Sequence, residues 1–187
     1  MDYEKLLCKR VQAIPPSGIR KYFNLLEGMS GAISLGVGEP DFQTPWHIRD
    51  AGIYSLEKGF TKYTPNAGLS DLRREISDYM KRRFDLDYAP VGQILVTVGG
   101  SEGLDLCFRC LLEPGDEVIV PTPSFVCYGP LTEMSGGVPK YLELKVENKF
   151  RLTPEELRAA ITPNTKVLVL PFPCNPTGGT MDRQDLE

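Results

Sequence analysis

The feature that most constrains this chain is an alternation. Four short, nearly continuous apolar runs, at residues 94–98, 117–121, 139–144 and 166–170, are separated by segments of helical pattern. A strand with one wet face alternates apolar and polar residues, whereas a strand buried on both faces reads as a continuous β-branched run. Runs of this length interleaved with helices predict an α/β fold, a mostly parallel sheet with helices on both faces. Strand order is not legible from the pattern. Turn signals mark the junctions. Gly99-Gly100-Ser101-Glu102-Gly103 leads into a helix ending near Leu112, and Pro114-Gly115-Asp116 turns the chain into the second run. Ser124 is read as opening the next helix. Thr153-Pro154-Glu155-Glu156 opens another, with acidic residues in the first turn, where the helix dipole favours negative charge.

The stretch before the first run is organised differently. A helical start over residues 3–11 meets a Pro15-Pro16-Ser17-Gly18 break, and a short helix is predicted over 19–26. An apolar stretch at 32–36 runs into the turn Val37-Gly38-Glu39-Pro40-Asp41. Thr44-Pro45 reads as an N-cap with proline at the first helical position, opening a helix that ends at Lys58-Gly59. Thr64-Pro65-Asn66-Ala67-Gly68 is a loop, and Ser70-Asp71 caps a helix over 72–84. Lys81-Arg82-Arg83 reads as a solvated helix end, where cations suit the dipole.

Composition narrows the function classes. With 21 basic and 25 acidic residues mixed along the sequence and a net charge of -4, no basic block suggests a nucleic-acid partner. The longest apolar run, 166–172, is far too short to cross a bilayer, and the charged start lacks the apolar core of a signal peptide. The expectation is a cytoplasmic protein with neither a nucleic-acid nor a membrane partner. Cys8, Cys107, Cys110, Cys127 and Cys174 lack disulfide-framework spacing. Cys107 and Cys110 have the C-x-x-C form, but within a helix rather than at its N-terminus, so they are expected as buried small hydrophobes. His47 is the only histidine, which leaves no ligand set for zinc. No metal site is expected.

Two loops carry candidate chemistry. Gly99-Gly100-Ser101-Glu102-Gly103 sits between a strand and a helix, where unpaired backbone N–H groups and the dipole favour an anion. Its glycines allow close approach, and Ser101 adds a hydroxyl donor. It lacks the lysine of a P-loop and the spacing of the dinucleotide fingerprint, and a packing turn explains it equally well. Asn175-Pro176-Thr177-Gly178-Gly179 follows the fourth run at the strand's C-terminal end, where ligands gather in open α/β sheets. Pro171, Pro173 and Pro176 stiffen that loop, and an X-Pro bond there is a candidate for the cis form. The alternative is a plain Asn-Pro turn.

Taken in order, a series of phrases resembles the class I/II aminotransferases of fold type I. They are Leu35-Gly36-Val37-Gly38-Glu39-Pro40-Asp41, Lys62-Tyr63-Thr64-Pro65-Asn66-Ala67-Gly68, Pro114-Gly115-Asp116-Glu117-Val118, Ala160-Ile161-Thr162-Pro163 and Asn175-Pro176-Thr177-Gly178. The resemblance spans residues 17–187, with a flavour similar to the bacterial aromatic-amino-acid or diaminopimelate branch. It implies transfer of an amino group between an amino acid and a 2-oxo acid with pyridoxal 5'-phosphate as cofactor. It also implies roles. The amides of Gly100, Ser101 and Glu102 would hold the cofactor phosphate. Phe125 would stack on the pyridine ring, where many relatives carry Trp or Tyr, and Asn175 would donate to the phenolic oxygen. Tyr63 would reach the phosphate in the other subunit of a homodimer, and the Gly38 backbone would lie against the substrate carboxylate. Each has a plainer reading: Phe125 in the core, Tyr63 in a local turn, Gly38 as a turn glycine.

By the same resemblance, residues 1–40 form an N-terminal arm or small-domain segment, and 41–187 an incomplete cofactor-binding large domain. The Schiff-base lysine, the aspartate that pairs with the pyridine nitrogen and the arginine that clamps the substrate carboxylate have no counterparts in these 187 residues. No catalytic residue is therefore expected among them, and the chain alone is expected to be inactive. The sheet neighbours of the strand before the phosphate loop are expected from later sequence, so the isolated polypeptide is expected to be poorly stable, aggregated or partly disordered. A carbon–sulfur lyase of the same fold, and a non-catalytic binding module, share these loops.

Overall fold

The computed structural model describes residues 3–16, 18, 31, 33, 38 and 40–187. The short helix expected over 19–26 and the apolar stretch at 32–36 lie wholly or mostly outside the described residues. A single 3-10 turn, Tyr3–Leu6, and helix α1, Lys9–Ala13, replace the one helix expected at the start. Helices α2, Trp46–Glu57, and α3, Ser70–Phe84, follow. Next come α4, Gly100–Leu111; β1, Glu117–Thr122; α5, Tyr128–Met134; and β2, Val138–Glu143. The chain then forms α6, Pro154–Ala160; β3, Thr165–Leu168; and α7, Arg183–Leu186. Contacts group these elements into two compact units, one of residues 1–17 with 98–187 and one of residues 18–97.

The first unit is built on a three-stranded parallel sheet in the order β2-β1-β3. β1 is central because its residues suit no other place. Val118 and Ile119 are 0% exposed and Val120 2%, and the strand is paired along both edges. Full burial of one such side chain contributes about 1.5–3 kcal/mol. Val118 and Val120, two residues apart, share one face of the pleat with Phe108, Leu112 and Val169. Phe108 and Leu112 are four residues apart, which places both on one stripe of α4 and its C-cap. That stripe corrects the expectation for the C-x-x-C pair. Cys107 and Cys110 are exposed, because each lies more than a quarter turn away from Phe108 around the helix.

A buried glutamate paired with an exposed lysine marks the start of β1. The Glu117 carboxylate accepts from the Thr162 hydroxyl at 2.6 Å and meets Lys140 Nζ at 3.1 Å. The Thr162 hydroxyl and then Lys140 hold its carboxyl below the ordinary glutamate value, against the opposing effect of burial. One phrase of the sequence, Ala160-Ile161-Thr162-Pro163, thus acquires a packing role. α6 begins with a capping box as its acidic first turn suggested: Thr153 Oγ1 accepts from Glu156 N–H, and the Glu156 carboxylate accepts from Thr153 N–H at 3.1 Å.

Three expectations about element boundaries are corrected. Residues 94–98 form no strand and pair with none of the sheet; Val96 N–H donates to Ala67 O at 3.1 Å, and Leu95 and Val98 are exposed. A β-branched run becomes a strand only when a neighbour supplies the ladder, and the described residues supply none. The helix expected to open at Ser124 starts at Tyr128, leaving 123–127 as a turn. Pro45 is the N-cap of α2 rather than its first residue, and Thr44 makes no cap.

In the second unit, Gly68 has φ +97, and a Cβ there would lie 2.7 Å from Val96 Cβ, so both conformation and space demand glycine. The Gly68 carbonyl accepts from Arg73 Nε at 3.2 Å, and the buried Arg73 also donates to Pro90 O at 2.8 Å. α3 ends on Asp85 in the left-handed region, with Lys81 paired to Asp85 and Asp87 at 2.9 Å each. No residue of α2 is buried, and Trp46, Ile48, Ile53, Tyr54 and Leu56 are all exposed. Among the described residues, no helix is long and apolar enough to cross a membrane.

Candidate cofactor site

The site begins at the N-terminus of α4. Gly99, its N-cap, has φ 100 and ψ 167, a conformation that side-chain-bearing residues rarely adopt. Apart from chain neighbours and the helix's own backbone, no atom lies within 4 Å of where a Cβ would stand on Gly99 or Gly100, so the backbone there is open to close approach. The amides of Gly100, Ser101 and Glu102 precede the first helical hydrogen bond, Gly103 N–H to Gly99 O at 3.4 Å. They sit at the positive end of a twelve-residue helix. The Glu102 carboxylate accepts from Val98 N–H and so fastens the loop across its own mouth. Gly100, Ser101 and Glu102 are therefore candidate anion donors.

The second loop leaves the C-terminal end of β1. Thr122-Pro123 is cis, and Phe125 follows, 40% exposed. One aromatic neighbour, Tyr128, meets Phe125 edge to face, with ring centroids 6.3 Å apart and planes at 80°. The ring is thus held on one side and retains open surface for stacking. Two residues on stands the half-buried Cys127. Burial pushes its thiol's pKa up.

The third loop follows β3. Phe172-Pro173 and Asn175-Pro176 are both cis. Gly178 N–H donates to Cys174 O at 2.8 Å and Cys174 N–H to Gly179 O at 2.9 Å, closing a tight turn around the exposed Asn175. The buried Cys174 thiol donates to Pro123 O at 3.4 Å, tying this turn to the second loop.

The Cys174 thiol's bond to Pro123 O joins the second and third loops, and α4, which the first loop opens, packs against α5, which follows the second loop. Gly100, Ser101, Glu102, Phe125 and Asn175 are carried on those loops. Tyr63 and Gly38 belong to the second unit, and both are exposed. Sequence reasoning missed Cys127, Tyr128 and Cys174. Their only sequence signal is adjacency, Cys127 two residues past Phe125 and Cys174 just before Asn175. Among the described residues, no group of His, Cys, Asp or Glu could hold a metal ion.

The fold is that of an α/β domain with its candidate loops gathered in the first unit, and comparison with known proteins gives its family. The chain belongs to the aminotransferase class I and II family, whose profile matches residues 30–187. It is 49% identical over 176 residues to the protein YugH of Bacillus subtilis, covering 94% of this chain and 46% of that one. It is 40% identical over 181 residues to aromatic-amino-acid aminotransferase 2 of Thermococcus litoralis, covering 97% and 46%. Its fold is similar to that of Thermus thermophilus aspartate aminotransferase crystallised with maleate, with a TM-score of 0.89 and 40% identity over 96% of this chain and 48% of that one. The chain spans about half the length of the curated relatives it matches.

Proposed function

We propose that these residues form the phosphate-, ring- and oxygen-contacting part of the pyridoxal 5'-phosphate site of an aminotransferase. The observation that supports the reading is that the glycine-opened start of α4, an open aromatic ring and an exposed carboxamide are carried on three loops of one unit, two of them tied by Cys174 and Pro123. When bound, pyridoxal phosphate supplies the electron sink that lets an amino group pass between an amino acid and a 2-oxo acid.

The residues fit such a group. The open backbone at Gly99 and Gly100 admits a phosphate, and the amides of Gly100, Ser101 and Glu102 would donate to it. Phe125 would offer its face to the ring, and the Asn175 carboxamide N–H would donate to the phenolic oxygen. In the second unit, Tyr63 would donate to the phosphate held by a partner copy, making the site shared across a homodimer, and the Gly38 backbone would lie beside the substrate carboxylate. In this reading residues 1–40 serve as arm or small-domain segment and 41–187 as part of the large domain, in a cytoplasmic enzyme. In this reading none of these 187 residues takes a proton-transfer role; their part is to hold the cofactor.

The test is a binding titration. Pyridoxal phosphate is expected to bind, to be displaced by inorganic phosphate, and to bind about tenfold or more tighter than pyridoxal, the contribution of charge-assisted hydrogen bonds to the phosphate. Equal affinity for the two forms would overturn the assignment.

A further inference from the structure

We propose that Phe150 is a positioning residue for Asn175, bracing the third loop through Gly179 so that the carboxamide is held at the cofactor's phenolic oxygen. The inference rests on the cofactor reading above and adds a residue to it.

The brace starts at the end of β2. Leu144 N–H donates to Thr122 O at 2.7 Å, which carries the pairing with β1 one residue beyond the strand. The chain then turns back on itself. Val146–Asn148 form a 3-10 turn, and Asn148 N–H and Phe150 N–H both donate to Lys145 O, at 3.2 and 2.9 Å. Lys149 and Phe150 follow one another in the left-handed region, with φ 55 and 56. Two successive side-chain-bearing residues there are strained, and such strain persists only where the surroundings hold it. Arg151 supplies part of that hold. Its guanidinium pairs with Asp182 at 3.3 Å and Asp185 at 3.0 Å, the two residues of the α7 capping box.

The strained turn ends against the third loop. A Cβ on Gly179 would stand 3.4 Å from Lys149 O and 3.6 Å from Phe150 Cβ, so the two segments meet at close range. Gly179 in turn closes the loop, since its carbonyl accepts from Cys174 N–H. Phe150 is half-buried and lines two cavities, one with Thr122, Pro123 and Leu144, the other with Thr177, Gly178 and Gly179. It thus stands between the end of β1 and the loop that carries Asn175. Asn175 is exposed, so its carboxamide is only as fixed as the backbone beneath it. A donor already held in place gives up less conformational entropy when its ligand arrives.

The experiment uses the protein as its gene encodes it, with Phe150→Ala, Phe150→Tyr and Asn175→Ala. Affinities are measured for pyridoxal phosphate and for its 3-deoxy analogue, which lacks the phenolic oxygen. Phe150→Ala is expected to weaken pyridoxal phosphate about fivefold, the scale of one hydrogen bond, and to leave the analogue within about twofold. Phe150→Tyr keeps the ring and is expected to bind both ligands as the unaltered protein does. In an Asn175→Ala background, Phe150→Ala is expected to add less than about twofold, because residues acting as a unit do not add. Should thermal melting show that Phe150→Ala does not fold, Phe150→Leu carries the same comparisons. The proposal is overturned if the Phe150 variant weakens both ligands equally, the result for a residue that only supports the fold. It is likewise overturned if pyridoxal phosphate binds unchanged, if tyrosine fails to rescue, or if the two substitutions add in full. The cofactor reading fails by different results: no pyridoxal phosphate bound by the unaltered protein, or no loss of affinity in Asn175→Ala.

Discussion

Replacing Ser101 with aspartate is expected to lower the affinity for pyridoxal phosphate several hundredfold while leaving the fold intact. The two effects separate because they depend on different charges. In the unliganded protein, an aspartate in the first turn of α4 faces the positive end of the helix and stabilises it by about 0.3–1 kcal/mol. Ser101 is exposed, so the new carboxylate remains in water. When a phosphate arrives at the same turn, the carboxylate opposes it. Two like charges about 4 Å apart near a protein surface repel by roughly 4 kcal/mol. The hydroxyl donor is lost as well. Thermal melting alongside a ligand titration checks both halves. An affinity within threefold of the unaltered protein would place the phosphate somewhere other than this turn.

The second large effect concerns the scaffold. Ile119→Ala is expected to destabilise the first unit by about 3–4 kcal/mol, within the range for large-to-small changes in a core. Ile119 is fully buried at the middle of the central strand. It lies on the face opposite Val118 and Val120, and so outside the cluster formed with Phe108, Leu112 and Val169. Its backbone carbonyl, which accepts from Val169 N–H at 3.0 Å, is retained by alanine, so the loss reports side-chain packing alone. The loops at the ends of β1 and β3 depend on that strand, so cofactor binding should fail at lower denaturant in the variant. A urea midpoint shift equivalent to less than about 1 kcal/mol would mean that the second face of the sheet is not packed as described.

Much of this arrangement is legible in the sequence because it is local. The buried run at 117–121 announces a two-faced strand, and β1 is that strand within one residue. The acidic first turn after Thr153 announces a helix start, and a capping box stands there. The glycine loop before α4 and the proline-stiffened loop after β3 are likewise visible as junctions. Errors arise where the outcome depends on distant residues. The run at 94–98 has the composition of a strand, but the described chain brings no ladder to it. Cys107 and Cys110 sit in an apolar helix, and only the phase set by Phe108 and Leu112 decides which side is buried. The bond from the Cys174 thiol to Pro123 O joins residues 51 positions apart, and no local pattern encodes it. The family resemblance is carried by the loops, since their backbone shapes tolerate few residues. The contacts that tie the loops together are read from the fold alone.

The central claim is that the three loops around the α4 N-terminus hold pyridoxal phosphate. A crystal structure of the protein grown with that ligand tests it most directly. The account predicts the phosphate within hydrogen-bonding reach of the Gly100, Ser101 and Glu102 amides, with Phe125 against the ring and Asn175 at the phenolic oxygen. A phosphate bound elsewhere, with those amides facing only water, would contradict it.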